Sequence, residues 1–190
     1  MASIFLVRHS PKIIKEESIK TIEQISNLFR ERLVSSLITS PLQRAIQTAD
    51  RIGELISIKP EIDFRIVEIS RGEYNDLPMS LFNEIWAKED FSPDFIPQGG
   101  ESINQGRKRA LGLIMEIGAK DSTSVLITHK GIINNLLMVF LDYDYNQISL
   151  NHLDLVEIRL EKDIITFFYG DEILGKISKE EYNGRLSSHS

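Results

Sequence analysis

The 190-residue chain contains no cysteine. Disulfides and thiolate metal sites are thereby excluded, and redox chemistry gives no indication of compartment. Long apolar runs are also missing. The amino terminus offers only Ile4 to Val7 before Arg8, too short for a signal-peptide core or a membrane span. No later run approaches the roughly 18 apolar residues that a spanning helix needs. The expectation is a cytoplasmic protein without membrane association. Excess positive charge is lacking too: the net charge of −6 argues against nonspecific binding to nucleic acid or to anionic lipid. An anionic small molecule is not excluded, because binding follows the local field. Arg8, Lys12 and Lys15 fall in the first fifteen residues with no acid among them.

What is present is ordinary for a globular chain, with 42% hydrophobic and 26% charged residues. The length suits one domain. Residues 1–178 read as that domain, and 179–190 as a polar tail expected to fray. Ser3 to Val7 is a short apolar run that reads as a buried strand. Ser18 to Val34 has helical spacing through Ile19, Ile22, Ile25, Leu28, Phe29 and Leu33. Leu37 to Thr39 is a second strand, and Leu42 to Ile56 a helix with Pro41 at its entrance. Glu61 to Ile69 reads as an edge-like strand or extended segment. The aperiodic stretch from Gly72 to Gly100, which holds the single tryptophan Trp86, reads as an excursion with a short helix around Leu81 to Lys88. Helices follow at Glu101 to Ala119 and Gly131 to Leu141, separated by the strand Ser124 to Thr128. Leu153 to Leu160 and Ile164 to Tyr169 pair as a hairpin. This alternation predicts an α/β fold: a three-layer α/β/α sandwich, its sheet mostly parallel with an antiparallel hairpin at one edge.

In such sheets the active site gathers at the carboxyl ends of the strands. Arg8-His9 follows the first strand. Ser40-Pro41 follows the second, with Arg44 one turn into the next helix. His129-Lys130-Gly131 follows Ser124 to Thr128. Two histidines and two arginines should therefore converge. A neutral imidazole is a good nucleophile towards phosphorus, and neighbouring guanidinium groups disfavour its protonation while forking onto phosphate oxygens. Phosphoryl transfer needs positioning and charge stabilisation above all, so such a pocket suffices without metal. The arginines beside both histidines would repel a divalent cation, and no His-x-x-x-His spacing occurs, so neither metal nor cofactor is expected.

These residues resemble a known family. Val7-Arg8-His9-Ser10 resembles the Arg-His-Gly signature of the histidine phosphatase superfamily, which includes the cofactor-dependent phosphoglycerate mutases. The run from Ser40 through Arg44 to Ala49 is similar to its second signature. Val67-Glu68, with Gly72 four residues on, resembles its acid-bearing segment. Gln98-Gly99-Gly100-Glu101-Ser102 resembles its helix-opening turn, and Leu126 to Gly131 its second-histidine strand. The resemblance implies that His9 forms a phosphohistidine and that Arg8, Arg44 and His129 hold the phosphate. It implies that Glu68 protonates the leaving alkoxide and then activates water. Lys12, Lys15 and Lys130 are further candidates for phosphate contact. Glu101 belongs more with the amino-terminal dipole of its helix than with chemistry.

The pattern departs from the family in places. Ser10 and Lys130 stand where glycine is usual, Lys15 where asparagine is common, and the stretch from His9 to Ser40 is short. Were Ser10 to need a positive φ, the strain would be about 1 kcal/mol. The trimmed loop favours hydrolysis of a small phosphate monoester over phosphoglycerate mutase-type transfer. A catalytically degenerate phosphate-binding regulatory domain is the rival from another class.

Overall fold

The computed structural model describes residues 2–142 and 148–189. Strand β1 (Ala2–Arg8) lies in the middle of its sheet and is buried along almost its whole length. Its side chains alternate between two cores, as strand geometry requires. Ile4 and Leu6 face one core, Phe5 and Val7 the other. The remaining strands are β2 (Val34–Thr39), β3 (Glu61–Ile62), β4 (Thr123–Thr128), β5 (Leu155–Leu160), β6 (Ile164–Tyr169) and β7 (Glu172–Ser178). They run in the order β3-β2-β4-β1-β5-β6-β7. β3, β2, β4 and β1 are parallel, whereas β5, β6 and β7 form an antiparallel edge.

Helices cover both faces, giving the three layers. On one side α1 (Glu16–Glu31) and α2 (Gln43–Ile56) bury Ile22, Ile25, Phe29, Ala45, Ala49 and Ile52 against Phe5 and Val7. On the other, α4 (Ile103–Gly118), α5 (Lys130–Leu141) and α6 (Lys179–His189) pack over Ile4 and Leu6. A fully buried aliphatic or aromatic side chain is worth about 1.5–3 kcal/mol, so these faces supply most of the driving force. A capping box in which Ser102 and Gln105 satisfy each other's backbone N–H starts α4. The excursion carries α3 (Met79–Lys88), which buries no side chain in either core.

Several expectations shift. The first helix stops at Glu31 rather than Val34, because Leu33 turns the chain with φ 49° and Val34 already belongs to β2. The edge strand at 61–69 shrinks to two residues. The Asp63 side chain accepts from Arg65 N at 2.7 Å and starts a 3-10 turn over Phe64–Ile66. The hairpin gains a third strand, β7. The tail expected to fray forms α6, with Tyr182 and Leu186 buried four residues apart on one face.

Candidate active site

β1, β2 and β4 end together, and the side chains following them meet. His9 is buried, and its Nδ1 lies 2.6 Å from the Ser10 carbonyl oxygen. A carbonyl only accepts, so Nδ1 carries the proton and Nε2 is left with a lone pair. That nitrogen accepts from Arg44 Nε at 2.9 Å. Burial lowers the His9 pKa to about 4, and Arg44, His152 and Arg8 add to the effect against the opposing pull of the Ser10 carbonyl. His9 is therefore a neutral imidazole at physiological pH.

Arg44 stands at the first turn of α2 and bridges the two strand-end histidines. Its Nη2 lies 3.3 Å from His129 Nδ1, which must be the acceptor, so His129 donates from Nε2 to Ser40 Oγ at 2.7 Å. The His9 and His129 rings are 5.0 Å apart. Burial first, then the neighbouring cations and His9, lower the His129 pKa to about 2. His129 is wholly buried and does not reach the wall of the pocket.

Glu68 arrives by a different route. Ile66 is anchored in the core, and Thr128 Oγ1 donates to its carbonyl at 2.8 Å. Two residues later the Glu68 carboxylate accepts from Ile69 N at 3.1 Å and Gly131 N at 3.3 Å. Burial raises its pKa and outweighs those two hydrogen bonds and the fields of Arg44 and Arg109. Glycine at 131 leaves room for this placement, since a Cβ there would displace the Glu68 carboxylate.

His9, Arg44 and Glu68 face a pocket of about 500 Å³. Arg8, His9, Arg44 and Glu68 are on its wall, with Lys12 and Lys130. Lys15 is not: it is exposed at the amino-terminal boundary of α1. Glu101 pairs with Arg109 at 2.6 Å and accepts from Ser70 N, tying the base of the excursion to α4. The Ser10 substitution brings no strain, because Ser10 is not among the residues with positive φ. Its backbone N–H donates to Thr48 Oγ1 at 3.0 Å, and Thr48 in turn donates to Arg44 O at 2.8 Å, which ties the segment after β1 to the start of α2.

Met79, from the excursion that the sequence offers either as a cover for the site or as a partner surface, lines the pocket; sequence reasoning missed His152 and Asn83, which also line it. The His152 ring is 5.4 Å from that of His9, and its Nε2 lies 3.3 Å from Arg8 Nη2. A signal for it existed. β5 runs antiparallel to β1, so the residues before β5 come to the same edge as those after β1. Leu153 N donates to Arg8 O at 2.9 Å and Arg8 N to Asp154 O at 3.0 Å.

Among the described residues no three His, Cys, Asp or Glu side chains are grouped to hold a metal ion, and no helix is long and apolar enough to cross a membrane. A family model for the histidine phosphatase superfamily (branch 1) matches residues 4–163. The bifunctional protein Rv2228c of Mycobacterium tuberculosis is 25% identical over 158 residues, which cover 76% of this chain and 40% of that protein. The chain thus spans well under half of that relative. Among solved structures, Bacillus stearothermophilus YhfR has a TM-score of 0.71 at 18% identity, covering 94% of this chain and 98% of that one. The mycobacterial glucosyl-3-phosphoglycerate phosphatase Rv2419c in complex with VO3 has a TM-score of 0.68 at 18% identity, covering 88% and 96%. A phosphoserine phosphatase mutant from Entamoeba histolytica in complex with phosphoserine has a TM-score of 0.66 at 16% identity, covering 94% and 95%.

Proposed function

Because the chain belongs to the histidine phosphatase superfamily, we propose that it hydrolyses a small phosphate monoester through a phosphohistidine on His9, without a metal. One observation carries the reading: a neutral imidazole with its Nε2 lone pair free of a proton shares a pocket with a carboxyl group whose pKa is raised. The imidazole is thereby in the form a nucleophile needs, and burial shifts the carboxyl towards the protonated form a general acid needs.

In the first step His9 Nε2 attacks phosphorus in line with the ester oxygen. The P–O bond breaks, and Glu68 gives its proton to the departing alkoxide. Arg8 and Arg44 neutralise the charge on the equatorial oxygens, with Arg44 passing from His9 Nε2 to the phosphoryl group. In the second step the Glu68 carboxylate takes a proton from water, whose oxygen attacks phosphorus and breaks the P–N bond. His129, buried behind Arg44, acts by holding that guanidinium in place rather than by touching the ester. The ordinary φ at Ser10 takes away one argument for a degenerate site. The names of structurally similar phosphatases, of glucosyl-3-phosphoglycerate and of phosphoserine, support a small phosphorylated metabolite as substrate. The proposed setting is cytoplasmic, with neither nucleic acid nor membrane as partner.

Hydrolysis of p-nitrophenyl phosphate in excess EDTA, with the wild type beside His9→Ala, tests this reading. Turnover by the wild type alone is expected. Equal turnover by both, or loss of wild-type turnover on chelation, would sink the mechanism. Phosphate binding without any turnover would favour a regulatory binding domain.

A further inference from the structure

We infer that Lys12 and Lys130 form a second anion subsite in this pocket, so that the preferred substrate carries a further carboxylate or phosphate on its leaving group. The inference rests on the phosphatase reading for which group leaves, and on the pocket alone for the charge.

The charge comes first. Four cationic side chains line the pocket, Arg8, Lys12, Arg44 and Lys130, and Glu68 is the only carboxylate among the described lining residues. Glu68 has a raised pKa, and two guanidinium groups already match the dianion of one phosphate monoester. Two ammonium groups are left over. Of the described lysines only Lys20 and Lys120 are in ion pairs, with Glu16 at 3.1 Å and Glu116 at 3.7 Å, so it is their place on the pocket wall that sets Lys12 and Lys130 apart. Among the described residues neither Lys12 nor Lys130 is in an ion pair. Two ammonium groups in a concave site with no carboxylate partner among the described residues raise the energy of the free protein, and an anion relieves it.

Position comes next. The leaving oxygen must lie against Glu68 to receive its proton, so the leaving group runs along that wall. Gly131 N donates to the Glu68 carboxylate, and Lys130 immediately precedes it at the start of α5. Lys130 thus emerges beside the leaving group. Lys12 enters the same pocket three residues beyond His9. The volume of about 500 Å³ lies within the range of sites that enclose a whole small molecule, with room beyond the phosphoryl group. An ammonium on a flexible stem is a point charge that suits a second anion without demanding a forked geometry.

The test uses a pair of ligands that differ only in the second charge, 3-phosphoglycerate and glycerol 3-phosphate. Affinities are measured by calorimetry on His9→Ala protein, where neither ligand is turned over. The expected result is at least about tenfold tighter binding of 3-phosphoglycerate, the scale of one or two charge-assisted hydrogen bonds. Adding Lys12→Gln and Lys130→Gln should bring the ratio to within about twofold. A second pair, fructose 1,6-bisphosphate and fructose 6-phosphate, tells phosphate from carboxylate as the second anion. A gain in either pair that vanishes with the lysines supports the subsite. A gain in neither pair, or one that survives the lysine substitutions, overturns it. Equal weakening of all four ligands also overturns it, because that result means the lysines hold the scissile phosphate or merely steer anions. Binding is read without turnover, so failure of the p-nitrophenyl phosphate assay would count against the phosphatase reading alone.

Discussion

Glu68 and Glu157 are both largely withdrawn from water, and the protein treats them in opposite ways. Glu157, on β5 and 5% exposed, accepts from Ser3 Oγ at 2.7 Å, from Arg159 Nη2 at 3.0 Å and from Arg32. Burial pushes its pKa up, but these donors outweigh burial and the net shift is downward. Glu68 accepts only two backbone N–H groups and has no ion-pair partner among the described residues. Burial wins there and the pKa rises. The first cluster is closed: its carboxylate is matched within the protein by two guanidinium groups. The second is open, with cations on one side and, on the other, a carboxyl whose pKa burial pushes upward. An open cluster is the kind of device that gives up stability in exchange for chemistry.

Exchanging the carboxylate for an amide at each place tests this contrast, and Glu68→Gln should have the larger effect. On an alkyl phosphate, whose alkoxide is a poor leaving group, kcat/KM should fall by about 10²–10⁴-fold. On p-nitrophenyl phosphate the drop should be much smaller. In the wild type, activity should fall at acid pH as His9 protonates near a pKa of about 4, and should fall again as pH rises and Glu68 loses its proton. That descending limb should be absent from the alkyl-ester profile of the variant. Equal losses on both esters would remove Glu68 from the acid role. The sign for stability also follows. A carboxyl with a raised folded pKa contributes stability only while protonated and loses it as pH rises, so Glu68→Gln should melt higher than the wild type at pH 8.

A milder disturbance reaches the same group through its neighbour. Gly131→Ala places a methyl against the Glu68 carboxylate, which must shift. Alkyl-ester turnover should fall by roughly tenfold, on the scale of general-acid misplacement, with p-nitrophenyl phosphate again less affected. If both esters suffer alike, the damage has spread to His129 and Arg44, and the acid is not what the glycine protects.

Much of this arrangement was legible in the sequence for a simple reason. β1 and β4 are buried on both faces, so they appear as uninterrupted apolar runs, and a charged residue just after such a run marks the strand's carboxyl end. His9, Arg44 and His129 were placed that way. Glu68 was not readable from periodicity, because the 3-10 turn that delivers it depends on Asp63, Thr128 and the core contact of Ile66; the family resemblance supplied it. His152 escaped because strand-end reasoning considered only parallel strands. α6 escaped because its composition is polar and only Tyr182 and Leu186 carry the packing signal. The depth of His129 behind Arg44 is a packing outcome that no local pattern encodes.

The closed cluster should respond in the opposite sense, and mostly in stability. Glu157→Gln leaves Arg32 and Arg159 without their carboxylate. Because Glu157 has a depressed folded pKa, its stabilisation is fully present above the unfolded value of 4.5 and fades as pH falls through the folded one. The variant should therefore lose about 2 kcal/mol at pH 7, the scale of hydrogen bonds to a charged group. That difference should shrink on acidification, since the wild type forfeits the same interaction there. Urea unfolding at pH 7 and at pH 3.5 measures both points. Turnover of p-nitrophenyl phosphate by the folded variant should stay within about twofold of the wild type, in line with near-additivity of distant sites. A large loss of turnover at full folding would mean that the two clusters communicate along β1 and β5. The division between a charge set that holds the sheet and one that works at its edge would then be wrong.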